Sequence, residues 1–272
     1  MVRNNGIIGV YINPKKDQSG TAKAQISKVL DAYSVKYRFV DDVSRGLEDI
    51  DLLIVMGGDG TILSVVRQLC NMDIPLFSVN IGTLGFLSEV ELAEFESALP
   101  KIIQGKGNIQ ERLMIEATCG QAKHTAINEF CVMPTDRLKM VHVSVYVNND
   151  MAGRFDADGI IVSTPTGASA YSLSAGGPIV YPTANCLLIT PICAHSVTAR
   201  PIVVNADDTI VLRSHEPNFT LANDWQTQTD YCTTNDIVIK KSARTAKFIT
   251  LGEHGFFDRM REKLIYNIRR GN

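Results

Sequence analysis

The chain has 272 residues, 45% of them hydrophobic and 21% charged, with a formal net charge of −2. That length and apolar content are enough for two ordinary cores, while the near-balanced charge and the lack of any dense Lys/Arg run argue against a nucleic-acid surface and leave phosphorylated small molecules open. Cys70, Cys119, Cys131, Cys186, Cys193 and Cys232 are scattered with no CxxC or Cys/His metal spacing, so they read as reduced core thiols. The opening MVRNNGIIGVYINP has too short an apolar run for a signal peptide, and nowhere do about 18 apolar residues run together as a spanning helix needs, so a cytoplasmic protein is expected.

Gly6 to Ile12 is a β-rich run closing on Asn13-Pro14, and Ala22, Ile26, Val29 and Leu30 follow at helical spacing. Lys36 to Val40 supplies a second strand. Asp51 to Met56 supplies a third, and its unbroken run Leu52, Leu53, Ile54, Val55, Met56 suits a strand covered on both faces. Gly57-Gly58-Asp59-Gly60-Thr61 comes next: the glycines let the backbone turn tightly, and Ile62, Leu63, Val66 and Leu69 predict a helix opening at Thr61. Free N–H groups at a helix N-terminus attract phosphate. Asp59 is the exception in such a turn, because a carboxylate repels phosphate; it would take a proton, hold a metal or bind a ribose hydroxyl, or alternatively cap the helix. Pro75 to Val79 is a further strand before the loop NIGTLGFLSEV. Alternating strands and helices predict a doubly wound parallel sheet, whose ligands lie beyond the carboxyl ends of the strands, where GGDGT and IGTLGF both fall.

A helix starting near Leu92 is broken by Gln104-Gly105-Lys106-Gly107-Asn108, and strand-like segments take over. The expected division is an α/β domain over residues 1–103 and an antiparallel β-sandwich over 104–255. Met114 to Thr118, Val141 to Val147, Thr209 to Leu212, Ile237 to Ile239 and Lys247 to Leu251 are its short strands; Val141, Val143, Val145 and Val147 alternate with His142, Ser144 and Tyr146. The last segment, residues 256–272, reads as a helix with Phe257, Met260, Leu264, Ile265 and Ile268 on one side, expected to pack back on the first domain.

Within the second half, DADGIIVSTPTGASAYSLSAGGP, from Asp156 to Pro178, joins a β-branched run to a dense cluster of small residues and hydroxyls. It reads as the wall of a ligand site, the alternative being a capped helix in a tight corner. Gly167-Ala168-Ser169-Ala170 approaches the Gly-x-Ser-x-Gly elbow of hydrolases but lacks its last glycine, and Thr164-Pro165-Thr166 separates it from the strand. Asn128-Glu129 sets an amide and a carboxylate inside an apolar run; the pair could grip vicinal sugar hydroxyls, or sit on an edge strand facing solvent.

Taken together, GGDGT at Gly57 to Thr61, LGF at Leu84 to Phe86, Asn128-Glu129, the Asp158 to Pro178 stretch and PIC-HS---RPIVV from Pro191 to Val204 resemble the bacterial NAD kinases over most of the chain. The resemblance implies an N-terminal α/β domain, a C-terminal β-sandwich, and NAD bound between them in a homo-oligomer, a dimer or tetramer. It implies phosphoryl transfer from ATP or polyphosphate to the 2′-hydroxyl of the adenosine ribose of NAD, giving NADP, with magnesium or manganese and no metal ligands assigned. By position, Asp59 resembles the general base, with Gly60 and Phe86 lining its pocket and Gly57, Gly58 and Thr61 making room for the donor phosphates. Asn128 and Glu129 resemble the pair that holds sugar and amide groups of NAD, and Asp158 the acid that meets the substrate. Thr166 and the run Ser169, Ala170, Tyr171, Ser172, Leu173 and Ser174 would wrap the adenine end. Lys139 and Gln226 match positions that touch the dinucleotide in some members. The chain departs from the pattern at Asp156, where the family often has Arg, at Trp225, where Asp-Gly-Gln is usual, and at Ala168. Two other readings share part of these features: a lipid or sugar kinase with only GGDGT, and a sensor that binds NAD or NADP without catalysis.

Overall fold

A computed structural model of the protein describes residues 6–69, 72–82, 85–136, 138–216, 218–225, 227–232, 236–252 and 255–266. The chain divides into two compact units, Met1–Glu111 with Ala246–Asn272 and Arg112–Thr245.

In the first unit the order is β1 (Ile7–Ile12), α1 (Thr21–Ala32), β2 (Tyr37–Phe39), β3 (Ile50–Gly57), α2 (Asp59–Leu69), β4 (Leu76–Asn80), β5 (Val90–Glu91) and α3 (Phe95–Ile103). The strands pair in parallel in the order β4-β3-β1-β2, with β5 and residue Phe248 also parallel to β4. This is the α/β architecture that the alternating pattern predicts. Leu52, Ile54 and Met56 of β3 join Ile8, Val10, Phe77 and Val79 in one core with Ala22, Ile26, Val29 and Leu30 of α1 and Phe95, Ala98, Leu99 and Ile102 of α3. Leu53 and Val55 point the other way and are equally buried, so β3 is covered on both faces. Each such side chain removed from water contributes about 1.5–3 kcal/mol, which is why an uninterrupted apolar run is stable only as a central strand.

The second unit begins within β6 (Asn108–Cys119) and continues through β7 (Ala122–Ala126), β8 (Glu129–Pro134), β9 (Val141–Val147), β10 (Asp150–Ala157), β11 (Gly159–Ser163), a single turn α4 (Tyr171–Ser174), β12 (Cys186–Ile192), β13 (Ile202–Asn205), β14 (Ile210–Ser214), β15 (Asn218–Asn223), β16 (Thr227–Cys232) and β17 (Ile237–Thr250). Strands β13-β12-β11-β8-β15-β16 form one antiparallel sheet, and β10-β9-β14-β17 lie in another. Val141, Val143 and Val145 from β9 meet Phe130, Val132, Ile160, Val162 and Phe219 from the first sheet in a shared core, the mark of a sandwich.

Several expectations change in detail. The segments Ile237 to Ile239 and Lys247 to Leu251 belong to one strand, β17, because the polar residues between them stay extended while pairing with β6 and turning most of their side chains to solvent. Helix α2 opens at Asp59 and not at Thr61. The C-terminal segment is a short helix, α5 (Phe256–Met260), that widens into π-type turns over Arg261–Tyr266, and Phe257 on its apolar side is 56% exposed. Cys119 and Cys131 are buried free thiols, but Cys186 is half-buried and Cys193 is exposed, so the cysteines are not all core residues. The side chains of Leu264 and Ile265, and all of Ile268, Cys70 and Cys232's side chain, lie outside the described residues. Among the described residues no helix is long and apolar enough to cross a membrane.

Candidate active site

In the first unit, β3 delivers its last residue, Gly57, to the turn, and Asp59 stands in the first turn of α2, where a carboxylate is favoured by the free N–H groups. Its side chain is not spent on capping. Oδ2 accepts the backbone N–H of Phe86 at 2.8 Å and Oδ1 that of Leu87 at 3.1 Å. The loop comes this close because residue 85 is glycine; a Cβ there would collide with the Asp59 carboxylate. Lys263 Nζ lies 3.8 Å from Asp59 Oδ2 and 4.3 Å from the centroid of the Phe86 ring. Gly58 is half-buried and Gly60 exposed, so the helix start keeps open room. Thr61 faces inward instead: its hydroxyl is buried and accepts the Asn13 side-chain amide at 2.7 Å.

In the second unit, Asn128 directly precedes β8 and Glu129 opens it. Neither faces solvent, since their exposures are 7% and 2%, which removes the edge-strand alternative. The Asp224 carboxylate accepts backbone N–H groups from Ile127, Asn128 and Glu129 at 3.2, 2.8 and 3.1 Å, and its own N–H donates to the Glu129 carbonyl at 3.0 Å. From the other side, Thr164 N–H donates to the Asn128 carbonyl at 2.9 Å and the Thr164 hydroxyl to the Ile127 carbonyl at 2.5 Å, then accepts Gly167 N–H at 3.1 Å. Gly167 packs so closely that a Cβ would strike the Asn128 carbonyl. Residues 127–129 are therefore gripped between Asp224 and the Thr164 turn.

That grip leaves an unusual set of atoms. Asn128 Oδ1, Glu129 Oε2, Ser163 Oγ and Thr166 Oγ1 are buried and have no hydrogen-bond partner among the described residues. Ser163 and Glu129 are register neighbours across β11 and β8, so the four lie along one short stretch. Buried polar atoms are nearly always satisfied, and leaving one unmade costs about 1–3 kcal/mol, so these four are free to bond polar groups of a ligand. Burial above all, with the nearby Asp224 charge adding to it, pushes the Glu129 carboxyl up to about 8. At neutral pH it can donate a hydrogen bond as well as accept one.

The remaining expected residues are placed as follows. Tyr171 packs edge-on against Trp225, their centroids 4.9 Å apart. The Ser169 hydroxyl donates to the Thr166 carbonyl at 3.1 Å, so it is not a hydrolase nucleophile bonded to an imidazole. Ser172 is buried with its hydroxyl 2.9 Å from that of Thr190; Ala170 and Leu173 are half-buried, and Ser174 is exposed. Asp158 is exposed with its N–H donating to the Ile192 carbonyl, and Lys139 is exposed. Asp156 is exposed and bonded to His142 Nδ1 at 2.5 Å, a contact that raises the His142 pKa; His142 Nε2 lies 3.5 Å from Glu216. Gln226 and the Leu84 of the LGF motif lie outside the described residues. Ser163 is one of the hydroxyls of the Asp156 to Pro178 stretch that the sequence singles out, whereas the contacts of Asp224 and Lys263 were missed. For Asp224 a signal existed, since an Asp next to a usual glycine position marks a special turn; Asp224 and Trp225 both adopt left-handed φ, +48° and +54°.

The chain matches the family model described as the ATP-NAD kinase N-terminal domain over residues 8–107 and that of the ATP-NAD kinase C-terminal domain over 127–251. It is 39% identical over 235 residues to the NAD kinase of Lachnoclostridium phytofermentans, covering 82% of each chain, and 35% identical over 277 residues to that of Clostridium botulinum, covering 96% of this chain and 97% of the other. Among solved structures, an NAD kinase from Archaeoglobus fulgidus in complex with ATP superposes with a TM-score of 0.81 at 26% identity, over 98% of this chain and all of that one. Yeast NADH kinase complexed with NADH shares the fold, with a TM-score of 0.83 at 22% identity. With NAD kinase models matched over both halves and relatives named NAD kinase along most of its length, the protein is a phosphotransferase. It belongs to the NAD kinase family. The lipid or sugar kinase and the non-catalytic sensor are not favoured.

Proposed function

We propose that Asp59 is the general base of an NAD kinase reaction in which a phosphoryl group passes from ATP to the 2′-hydroxyl of the adenosine ribose of NAD, giving NADP. The observation that carries this reading is the Asp59 carboxylate itself, fixed by two backbone N–H groups yet with its side chain 32% exposed. As the ribose oxygen bonds to phosphorus, the bond to the bridging oxygen of ADP breaks and the hydroxyl proton goes to Asp59. The rest of the catalysis is positioning and charge neutralisation, for which the open helix start at Gly58 and Gly60 leaves room for phosphates. Asn128, Glu129, Ser163 and Thr166 offer the unpaired buried atoms to which the hydroxyls and amides of NAD would bond, with Tyr171 and its neighbours at the adenine.

Among the described residues no group of three His, Cys, Asp or Glu side chains stands together as a metal cage. Magnesium or manganese in this reading arrives on the ATP phosphates, as is usual for an ion that keeps several waters. The reading also takes a cytoplasmic homo-oligomer; the four free thiols among the described residues suit a reducing compartment. The test is to incubate the purified protein with NAD and magnesium beside either ATP or polyphosphate. NADP should form with ATP, and no NADP with either donor overturns the proposal.

A further inference from the structure

Lys263 comes from the far end of the chain to meet Asp59. Its ammonium lies 3.8 Å from Asp59 Oδ2, the same oxygen that accepts Phe86 N–H, and 4.3 Å above the Phe86 ring. We propose that Lys263 is a positioning residue for the kinase reaction: lodged between the Asp59 carboxylate and the Phe86 ring, it holds the base in the aim it needs toward the incoming hydroxyl. This rests on the reading of Asp59 as the base.

Four features support it. The Lys263 side chain is only 21% exposed, and burial lowers its pKa against the opposing pull of Asp59, so the ammonium has given up water for this contact. At 3.8 Å the pair attracts without a tight hydrogen bond, which leaves the carboxylate able to accept a substrate proton. The segment carrying Lys263 is also fixed to the loop that carries Phe86. Four residues earlier, Arg259 donates to the Ser88 carbonyl at 2.7 Å and pairs with the buried Glu89 carboxylate at 2.7 Å, while Leu251 N–H donates to the same carboxyl group at 2.7 Å. Residues 86–89 thus hold Asp59 through their first amides and the C-terminal segment through their last groups. The π-type turns at 261–266 are the kind of helical irregularity that accompanies a functional side chain.

The test uses the full chain and four variants: Lys263→Met, Lys263→Arg, Asp59→Asn and the Asp59→Asn/Lys263→Met double. For Lys263→Met we expect kcat to fall about tenfold or more with KM for NAD within about twofold, since a misdirected group costs rate more than binding. Lys263→Arg should recover most of the loss. In the Asp59→Asn background, Lys263→Met should cost nothing further, because residues that act through one another are not additive. A kcat within twofold of the parent for Lys263→Met, or the same loss in both backgrounds, overturns the proposal. Lys263→Gln replaces the Met variant if that one does not fold. Near-normal turnover of Asp59→Asn alone would instead remove the base assignment on which all this stands.

Discussion

The carboxylate of Asp224 sits 3.1 Å from the backbone nitrogen of Glu129, so a charge anchored by three amides lies beside a carboxyl that is itself buried. The arrangement fixes the Glu129 backbone and at the same time discourages its side chain from ionising.

A pH dependence follows. The Glu129 pKa rises from 4.5 in its ordinary state to about 8 in the folded protein. The folded state therefore binds this proton more tightly than the unfolded chain does. The stability it contributes is fully present below 4.5 and is lost as pH rises through about 8. Glu129→Gln, whose amide resembles the protonated acid, removes the titration. The Tm of the parent should drop relative to that of Glu129→Gln as pH is raised across this range; parallel curves would contradict the assignment.

Gly85→Ala should damage catalysis more than folding. The new methyl group would collide with the Asp59 carboxylate, so either that side chain or the loop at residues 85–87 has to move. A displacement of about 1 Å can cost on the order of 100-fold in rate, and kcat should fall by that order while KM for NAD stays within a few-fold. Steady-state kinetics checks this, and a kcat within threefold of the parent would show that the close approach is unimportant.

Trp225 occupies a left-handed position at φ +54° while its ring packs on Tyr171. Left-handed backbone costs a non-glycine residue about 1–2 kcal/mol, and an aromatic pair contributes about 0.5–1.5 kcal/mol. Trp225→Ala loses the ring and keeps the strain, whereas Trp225→Gly loses both. The glycine variant should accordingly be the more stable of the two by about 1 kcal/mol in chemical denaturation. If alanine is equal or better, strain is not what that position carries.

Much of the fold was legible because it follows from periodicity. The stripe Ala22, Ile26, Val29 and Leu30 is the buried side of α1, the run Leu52 to Met56 is a strand covered on both faces, and the Val141 to Val145 alternation faces the sandwich core. Local composition misled where tertiary pairing decides. Ile237 to Ile239 and Lys247 to Leu251 read as two strands, yet the polar stretch between them stays in one strand in a sheet with β6, and the glycines of GGDGT hid that α2 opens at the aspartate. The geometry around the candidate site was least legible. That Asp224 would secure Asn128 and Glu129, or that Lys263 would reach Asp59, depends on contacts between residues about a hundred or two hundred positions apart, and neither has a signal in spacing. Asp156 shows the reverse: its departure from the family pattern was visible, but its pairing with His142 was not.

The central claim is that Asp59 accepts the ribose proton. The most direct measurement is single-turnover phosphoryl transfer by Asp59→Asn, with NAD binding measured by calorimetry and folding by thermal denaturation on the same preparation. The amide keeps the shape and can still accept one of the two backbone N–H groups, but it cannot take the proton. The account predicts NAD affinity close to that of the parent and a rate lower by at least ~100-fold, the low end for loss of a general base. A folded variant that binds NAD and turns over at near the parent rate would contradict it.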